Sequence, residues 1–384
     1  MSLNSSREPE SADEAHTSGP VRLFLCGDVM IGRGIDQIMA NPCDPALHER
    51  AMLSATGYIK LAERLHGPIP RRVAPTYIWG VALEELRHSN PDACIVNLET
   101  SITRSESYIP KGINYRVSPE NADCLVAAGI DCCTLANNHV LDWGIAGLLD
   151  TMQVLDRLHI KHAGAGRERD QASAPAVLDL ANKGRVLVFS FASVTSGTPE
   201  NWAATSEAPG VNVLPDLSEA TATAVSEGIS AARQPGDVIV ASVHWGSNWG
   251  YEIPDDARRF AHLLIEKAGV SVFHGHSSHH PRAIEIYRNR LILHGCGDFV
   301  NDYEGIAGYE EFRDDLPLMY LVDIDAKSGD LAKLEIVPLR ILRFRLAHPS
   351  TEDATWICQT LDRESRQLGT RVVKSRDGHL TASW

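Results

Sequence analysis

The chain has 384 residues, of which 43% are apolar and 22% are charged, and this composition can close a sizeable core. Its formal net charge is −14. Phosphate would be repelled over most of such a surface, which argues against nucleic acid or an acidic membrane as a partner. No stretch approaches the apolar length of a membrane span. An anionic substrate would therefore need a local positive centre, such as a metal ion.

The first 20 residues are polar and acidic and lack the apolar core that a signal peptide requires. We expect a disordered tail over residues 1–20, then a single domain over residues 21–384 with a C-terminal extension from about residue 350. The eight cysteines include no CxxC pair, and several lie in apolar runs. This pattern favours a reduced, cytoplasmic protein.

Five short apolar runs follow along the chain, and each ends abruptly in polar residues. They are rich in Val, Ile, Leu or Cys, a pattern typical of strands buried on both faces. The runs are VRLFLCGD, ACIVNLE, IDCCTLANNH, DVIVASVHWG and GVSVFHGHSSHH. Their polar ends contain Asp28, Asn97, Glu99, Asn137, Asn138, His139, His244 and the four histidines of residues 273–280.

Segments with helical periodicity lie between and after these runs. SPENADCLVAAG has Ser118 as its predicted N-cap and Gly129 as its stop. The others are WGIAGLLDTMQVLDRLHI, DDARRFAHLLIEKAG and the amphipathic TWICQTLDRESRQLG. Apolar runs joined by polar turns predict hairpins over residues 177–194, 283–299 and 318–341. The alternation of strands and helices predicts an α/β fold whose sheet is partly antiparallel.

The polar ends of the five runs are expected to converge, because the carboxyl ends of strands in α/β sheets line one crevice. Asp, Glu, Asn and neutral His are the donors that divalent metals accept. A mixed set that includes Glu99 and Asn138 suits one ion, or two ions that share a carboxylate. Without metal, Asp28 and Glu99 would repel each other, and one of them would have to stay protonated.

Each residue taken singly also has a structural explanation. Asp28 suits a helix cap, His244 suits a hydrogen-bonded core histidine, and the asparagine pair after the third run suits a turn. His274 ends an apolar run and His280 precedes a proline, so we expect structural roles for these two. The metal-site hypothesis therefore rests on the whole set, because all five strand ends carry donor residues.

Six motifs occur in the order GDVMIGR, NLETSIT, NNHVLDWG, HWGSNW, GHSSHH and CGDF. In this order they resemble the CapA family, named for capsule and poly-γ-glutamate synthesis, over about residues 21–345. Proteins of that family are similar to calcineurin-like metallophosphatases. The resemblance implies an α/β fold of four layers, an α/β/β/α sandwich, with a metal centre at the strand ends.

The resemblance also implies roles for residues of this sequence. It assigns one or two divalent ions (Mn, Zn, Fe, Mg or Ca) to Asp28, Glu99, Asn138, His244, His276 and His279. His139 matches the position of the general acid beside the metal in phosphatases. The predicted substrate contacts are Asn97, Trp249 and Asp298. Trp249 offers an aromatic wall, and its alternative role is to close the core.

Three features depart from the family pattern. Metallophosphatases place a histidine two residues after the first aspartate, and here that position is Met30. CapA proteins are often membrane-anchored, and no anchor is expected here. The residue before GCGDF is commonly tyrosine, and here it is His294, whose imidazole titrates near neutral pH and suits proton transfer.

With these departures the chain resembles a lasso-peptide epimerase of the CapA type. Our main prediction is a metal-dependent, cofactor-free isomerase that inverts the Cα of the C-terminal residue of a ribosomal precursor peptide. Its catalytic residues would be His294 with His139, Asp28 or Asp298, while cations stabilise the enediolate. One alternative is a metal-dependent phosphoesterase with His139 as leaving-group acid. The other is a CapA-type accessory protein of poly-γ-glutamate or capsule synthesis.

Overall fold

The computed structural model describes residues 19–384, so the tail predicted over residues 1–20 lies almost entirely outside the described part. Residues 19–384 contain nine α-helices: α1 (Arg33–Ile38), α2 (Thr56–His66), α3 (Ala82–Ser89), α4 (Asp123–Ala127), α5 (Gly144–Arg157), α6 (Arg169–Ser173), α7 (Glu219–Ala232), α8 (Asp255–Ala268) and α9 (Thr351–Arg366). Short 3₁₀ helices cover Val194–Ser196, Glu200–Trp202 and Glu310–Phe312.

The strands of the described residues alternate with these helices. In chain order they are β1 (Val21–Val29), β2 (Ala93–Leu98), β3 (Ser101–Ile102), β4 (Arg116–Val117), β5 (Cys132–Thr134), β6 (Lys161–Ala163), β7 (Ala165–Gly166), β8 (Ala176–Leu180), β9 (Gly184–Ser193), β10 (Gly210–Val211), β11 (Val213–Leu214), β12 (Val238–His244), β13 (Val272–His276), β14 (Ile284–Tyr287), β15 (Arg290–Leu293), β16 (Asp298–Val300), β17 (Leu318–Ile324), β18 (Leu331–Pro338), β19 (Arg340–Ile341), β20 (Leu346–Ala347), β21 (Arg371–Lys374) and β22 (Leu380–Ser383).

Two large mixed sheets dominate the architecture. The first has the strand order β21-β22-β18-β17-β1-β2-β5-β6, with β16 also paired to β1. The second has the order β11-β9-β12-β13-β15-β14, with β8 paired to β9. The pairs β1–β2 and β2–β5 are parallel in the first sheet, as are β9–β12 and β12–β13 in the second. Their carboxyl ends therefore point to one side of each sheet.

The helices and sheets form four layers, and an apolar core lies between each pair of neighbouring layers. The inner core lies between the two sheets and contains Leu23 and Leu25 of β1 with Val238 and Val240 of β12. A second core joins the outer face of the first sheet to helices α1 to α5. A third joins the outer face of the second sheet to α7 and α8. The chain is thus an α/β/β/α sandwich, and the predicted fold class is confirmed.

Alternation along the strands decides which side chains face the space between the sheets. On β13, Val272 belongs to the inner core and Phe273 to the outer core. Side chains of a strand point to opposite faces in turn, so His274 and His276 share the inner face with Val272. Because of this alternation, the His276 side chain lies on the inner face, at the rim of the space between the two sheets.

All five strands and all three hairpins predicted from the sequence are present. The helix predicted from Ser118 is shorter, since α4 begins at Asp123. Ser118 instead donates its hydroxyl hydrogen bond to Asn41 O, 2.5 Å away, and ties two loops together. Gly129 has φ +68°, a left-handed conformation that favours glycine and ends the helix.

The extension after residue 350 contains the predicted amphipathic helix, α9, which a capping box of Ser350 and Asp353 starts. It also contains β21 and β22, which join the first sheet beside β18 and were not predicted. Their sequences, RVVK and LTAS, are too short and polar to show a strand pattern. Within residues 19–384 no helix has the length and apolar character needed to cross a bilayer. The eight cysteines are all free thiols.

Candidate metal centre

The predicted strand-end residues meet at one rim of the sandwich. Asp28 lies at the end of β1 and Glu99 directly follows β2. His244 and His276 are the last residues of β12 and β13. Because β1 belongs to the first sheet and β12 and β13 to the second, the rim combines donors from both sheets.

Asp28, His244 and His276 form the centre of this rim. One ligand-type atom from each lies within 4.8 Å of the others, and all three residues are buried. His244 Nδ1 is 2.8 Å from His276 Nδ1, and His276 Nδ1 is 3.7 Å from Asp28 Oδ1. The structure therefore brings three of the six predicted ligands into a possible metal site.

The Asp28 carboxylate is held by two hydrogen bonds. Asn97 Nδ2 donates to Oδ1 at 2.7 Å and the Ser277 backbone N–H donates to Oδ2 at 3.0 Å. Asn97 Oδ1 accepts from Asn137 Nδ2 at 3.1 Å, and Asn97 is fully buried. Asn97 therefore orients Asp28, and its predicted contact with a substrate stays a prediction.

Three more predicted residues border the centre. His244 Nε2 lies 3.0 Å from Asn138 Oδ1 and 3.7 Å from Glu99 Oε1. The same Glu99 oxygen is 3.7 Å from His139 Nε2. Glu99 Oε2 is buried and has no hydrogen-bond partner among residues 19–384. A buried carboxylate oxygen without a partner is costly, and a cation would satisfy it.

A relay of hydrogen bonds, which the sequence did not reveal, orients His276. His274 Nε2 donates to Cys26 O at 2.7 Å, so its Nδ1 accepts from the Ser242 hydroxyl at 3.2 Å. The Ser242 oxygen then accepts from His276 Nε2 at 2.8 Å. This assignment leaves a lone pair on His276 Nδ1, which lies 2.8 Å from His244 Nδ1 and 3.7 Å from Asp28 Oδ1, and metal ligation requires such a lone pair. His274 thus has the structural role that we expected.

Burial sets the protonation of the centre. Burial first, and then the charge of Asp298, raises the pKa of Asp28 to about 7. Burial and the charge of Asp28 raise the pKa of Glu99 well above its ordinary value. Burial lowers the pKa values of His244 and His276. Without a cation the site therefore favours neutral groups, and a bound cation would let the carboxyls ionise.

His139 is paired with an aspartate that the sequence analysis did not single out. Its Nδ1 is 2.7 Å from Asp142 Oδ2, which fixes Nδ1 as the protonated nitrogen and turns Nε2 toward Glu99. Burial lowers the pKa of His139 to about 4. Lys111 Nζ lies 2.9 Å from Asp142 Oδ1. Asp142 stands three residues after His139 within NNHVLDWG, a local signal that could have identified it.

A separate group of predicted site residues contains His279, Asp298 and Trp249. His279 Nδ1 is 2.9 Å from Asp298 Oδ1, and Asn301 donates to Asp298 Oδ2 at 2.8 Å. Burial alone would lower the pKa of His279, but the Asp298 carboxylate outweighs it and raises that pKa. Asp298 is buried and engaged on both oxygens, so it orients His279, and its predicted contact with a substrate stays a prediction. Trp249 stacks on Tyr309 with ring centroids 4.0 Å apart.

His294 does not join the metal centre. It follows Leu293, which faces the inner core, so its side chain faces the outer layer. There its Nε2 lies 3.0 Å from Glu285 Oε2. Burial lowers the pKa of His294. The sequence-based role of His294 as acid or base at the metal therefore requires a correction, because the second sheet separates its imidazole from Asp28.

The residues present fit a divalent cation. The donor set of Asp28, His244, His276, Glu99 and Asn138 combines carboxylate oxygens, an amide oxygen and imidazole nitrogens, which suits transition metals such as Mn²⁺ and Zn²⁺. Glu99 Oε2, which has no hydrogen-bond partner among residues 19–384, is an unused ligand atom at the same place. Met30, where metallophosphatases have histidine, is buried and accepts a hydrogen bond from the Tyr303 hydroxyl at 3.7 Å.

We expect Asp28 to give metal-free protein a distinctive pH dependence. Its pKa rises from 3.8 to about 7 on folding, so between those values the folded state holds a proton that the unfolded chain has released. The stability from this proton is complete below about pH 4 and is lost as pH rises toward 7. The non-titrating variant Asp28→Asn should therefore gain stability relative to wild type across this window, by roughly 1.4 kcal/mol per pKa unit.

Urea unfolding of both proteins in chelator, from pH 4 to 8, measures this difference. The comparison cancels the opposite contribution of His244 and His276, whose pKa values burial lowers in both proteins. Wild type saturated with Mn²⁺ serves as the control, since a ligated Asp28 stays ionised. Parallel stability curves for the two metal-free proteins would show that Asp28 does not hold the extra proton.

A four-layer α/β/β/α sandwich with carboxylate and histidine donors at its strand ends defines the metallophosphatase-like class of proteins. Within that class the chain belongs to the CapA family, since the family model described as bacterial capsule synthesis protein PGA_cap matches residues 22–303.

Named relatives agree with this assignment. The chain is 46% identical over 362 residues to a probable polyglutamine synthesis accessory protein of Mycobacterium tuberculosis, covering 94% of this chain and 95% of the relative. It is 26% identical to the PGA biosynthesis protein CapA of Bacillus subtilis, covering 74% and 70%. It is 27% identical to the capsule biosynthesis protein CapA of Bacillus anthracis, covering 60% and 53%.

Proposed function

We propose that this chain is an accessory protein of glutamate-type polymer synthesis, and that its strand-end centre binds a divalent metal and hydrolyses a bond in the polymer or its precursor. The observation that carries the proposal is the convergence of Asp28, His244 and His276 beside Glu99, whose Oε2 has no hydrogen-bond partner among residues 19–384. The name of the mycobacterial relative, which aligns over nearly the whole chain, supports the choice of polymer.

Charge supports a metal-dependent site. The chain carries a net charge of −14, which disfavours a polyanionic substrate everywhere except at local positive centres. When bound, a divalent ion would polarise a carbonyl or phosphoryl oxygen and activate water. The residues of the chain would hold that ion with Asp28, His244, His276, Glu99 and Asn138.

His139 is the proposed proton-transfer group of the site. In the metal-free protein its low pKa, caused mainly by burial, keeps it neutral at pH 7. The Asp142 carboxylate holds Nδ1 protonated, so Nε2 is free to accept a proton from the attacking water. After that step the same Nε2 can donate the proton to the leaving group. Asp142 would stabilise the imidazolium that forms between the two steps.

The lasso-peptide epimerase has less support than this proposal. It depended on His294 beside the metal, and that imidazole lies on the other face of the second sheet, bonded to Glu285. The relatives reported above are named for polyglutamine, PGA or capsule synthesis, and none of these three is named an epimerase. The accessory-protein alternative therefore fits the comparisons better.

The test is incubation of Mn²⁺-loaded protein in D₂O with γ-linked glutamate oligomers, and separately with phosphate esters. We expect metal-dependent shortening of the oligomers, read by mass spectrometry. His139→Gln should slow it by roughly 10²–10⁴-fold, the range for general acid–base catalysis, while Mn²⁺ affinity changes little. His162→Gln is the matched control, because His162 is also paired to an aspartate but lies on β6.

The other outcomes each contradict the proposal in a distinct way. Deuterium at a single Cα without shortening would establish an epimerase. Turnover of phosphate esters alone would establish a phosphoesterase. Full Mn²⁺ binding without any turnover would show a metal-binding accessory protein that is not an enzyme.

A further inference from the structure

A second polar site lies on the outer face of the same strand ends. It is a pocket of about 110 Å³ between the ends of β12 and β15 and the first turn of α8. Its polar lining includes Arg282 and His294, and Trp245 and Ile253 contribute apolar walls. Trp245 directly follows the proposed ligand His244, but its side chain belongs to the outer core.

Among the described residues, Arg282 is a buried cation without a counter-charge. It is 4% exposed, and it makes no salt bridge with any residue of 19–384. Its Nη2 donates to Ser247 O at 2.7 Å and to Ser247 Oγ at 2.9 Å. Its Nε has no hydrogen-bond partner within the described chain. Burial of a charge without a counter-charge costs substantial folding free energy, so a bound anion would stabilise this guanidinium.

The acidic residues nearby are engaged elsewhere. Glu285 accepts from Arg258 at 2.7 Å and from His294 at 3.0 Å. Asp256, which also lines the pocket, accepts from the backbone N–H of Ala257 at 2.8 Å. Neither forms an ion pair with Arg282 in the observed arrangement, so a bound anion is the counter-charge that the pocket can accept.

His294 supplies a second unused polar atom. Its Nε2 donates to Glu285, and its Nδ1 is buried with no partner among residues 19–384. The residue is 2% exposed. Two buried atoms without a hydrogen-bond partner among residues 19–384, Arg282 Nε and His294 Nδ1, thus belong to residues that line the same pocket.

The pocket chemistry selects a group with a single negative charge that is carried on an aliphatic stem. Among residues 19–384 Arg282 is the only arginine or lysine that lines it, and the Asp256 carboxylate would repel a single group with two charges, such as phosphate. The walls of Trp245, Ile253 and Pro254 suit methylene groups. We infer that this pocket binds a carboxylate carried on a short aliphatic stem, as in glutamate or a glutamyl residue of a polymer. The choice of a glutamyl source rests on the proposed function.

Calorimetry with chelator-treated full-length protein tests the inference apart from the metal centre. We expect saturable binding of glutarate, and Arg282→Gln should weaken it about tenfold or more, since a hydrogen bond to a charged group is lost. Arg259→Gln is the matched control on α8, because Arg259 is 69% exposed and pairs with Glu219. Tighter binding of γ-linked oligomers than of free glutamate would identify the polymer as the source, and equal binding would identify the free amino acid.

Three results would overturn the inference: no saturable glutarate binding, equal binding by Arg282→Gln, or preference for orthophosphate. If Arg282→Gln does not fold, crystals of the wild type soaked in glutarate decide, with a carboxylate expected at hydrogen-bond distance from Arg282 Nε. Density elsewhere, or none, contradicts the inference. Glutarate binding without polymer turnover would contradict only the proposed function, and turnover without glutarate binding would contradict only this pocket.

Discussion

Replacing Asp28 or His276 with alanine is expected to weaken Mn²⁺ binding at least a hundredfold. Each residue supplies a ligand atom within 4.8 Å of the others, and changes even to the groups that only support metal ligands cost about 10–100-fold in affinity. Isothermal titration of chelator-treated protein measures the loss. Turnover should fall with metal occupancy in both variants.

His280→Ala is the matched control for these variants. His280 is as buried as His276 and belongs to the same histidine-rich segment, but its ring packs against Tyr251 and Phe312. Its Nδ1 bonds the carbonyl oxygen of Pro281. Its loss should leave Mn²⁺ affinity within a few-fold of wild type. Equal losses of Mn²⁺ affinity in His280→Ala and His276→Ala would contradict the assignment of His276 as a metal ligand and of His280 as a packing residue.

Asp302→Ala is expected to lower the free energy of unfolding by roughly 3–5 kcal/mol, the cost of removing one partner of a buried ion pair. Asp302 Oδ2 accepts from Arg33 Nε at 3.2 Å and from Gly34 N at 2.8 Å, and Oδ1 pairs with Arg33 Nη2. Arg33 also lies 3.9 Å from the Tyr58 ring. The substitution would leave this buried guanidinium with Glu49 alone.

Urea unfolding in chelator measures this loss, so that metal binding does not contribute. Glu120→Ala is the control, because Arg104 and Glu120 also form an arginine–carboxylate pair but with side chains 49% and 51% exposed. Exposed pairs of this kind contribute about 1 kcal/mol or less. Comparable losses for the two variants would show that burial of the Arg33 pair does not add to its stability effect.

The sequence predicts the strands and the metal-centre residues wherever a short contiguous pattern of residues indicates them. Each core strand is a short apolar run, and Asp28, His244 and His276 each stand at the end of such a run. The convergence of these ends follows from the parallel pairing of the strands. The family motifs added the four-layer arrangement, which no single run indicates.

His294 shows where local reasoning fails. Both faces of the second sheet are covered by apolar layers, so LILH carries no alternation to reveal which face each residue takes. Only the pairing of β15 with β13, which matches Leu293 to His274, places His294 on the outer face. A shift of one residue would have reversed the result.

The groups that orient the site depend on contacts distant in sequence. Ser242 lies between His274 and His276, residues 32 and 34 positions away. The lack of an ion pair for Arg282 within residues 19–384 is a property of the packed molecule, since the sequence alone would allow nearby carboxylates to pair with it. Predicting these contacts would require the positions of β12, β13 and the loops after them relative to one another.

An anomalous-difference map from crystals grown with Mn²⁺ tests the central claim most directly. The account predicts a strong peak at the manganese edge in contact with Asp28, His244 and His276, with Glu99 within reach of the same ion or a second one. A map without a peak at this rim, from protein that is folded and saturated with Mn²⁺, would contradict the claim that these strand ends form a metal centre.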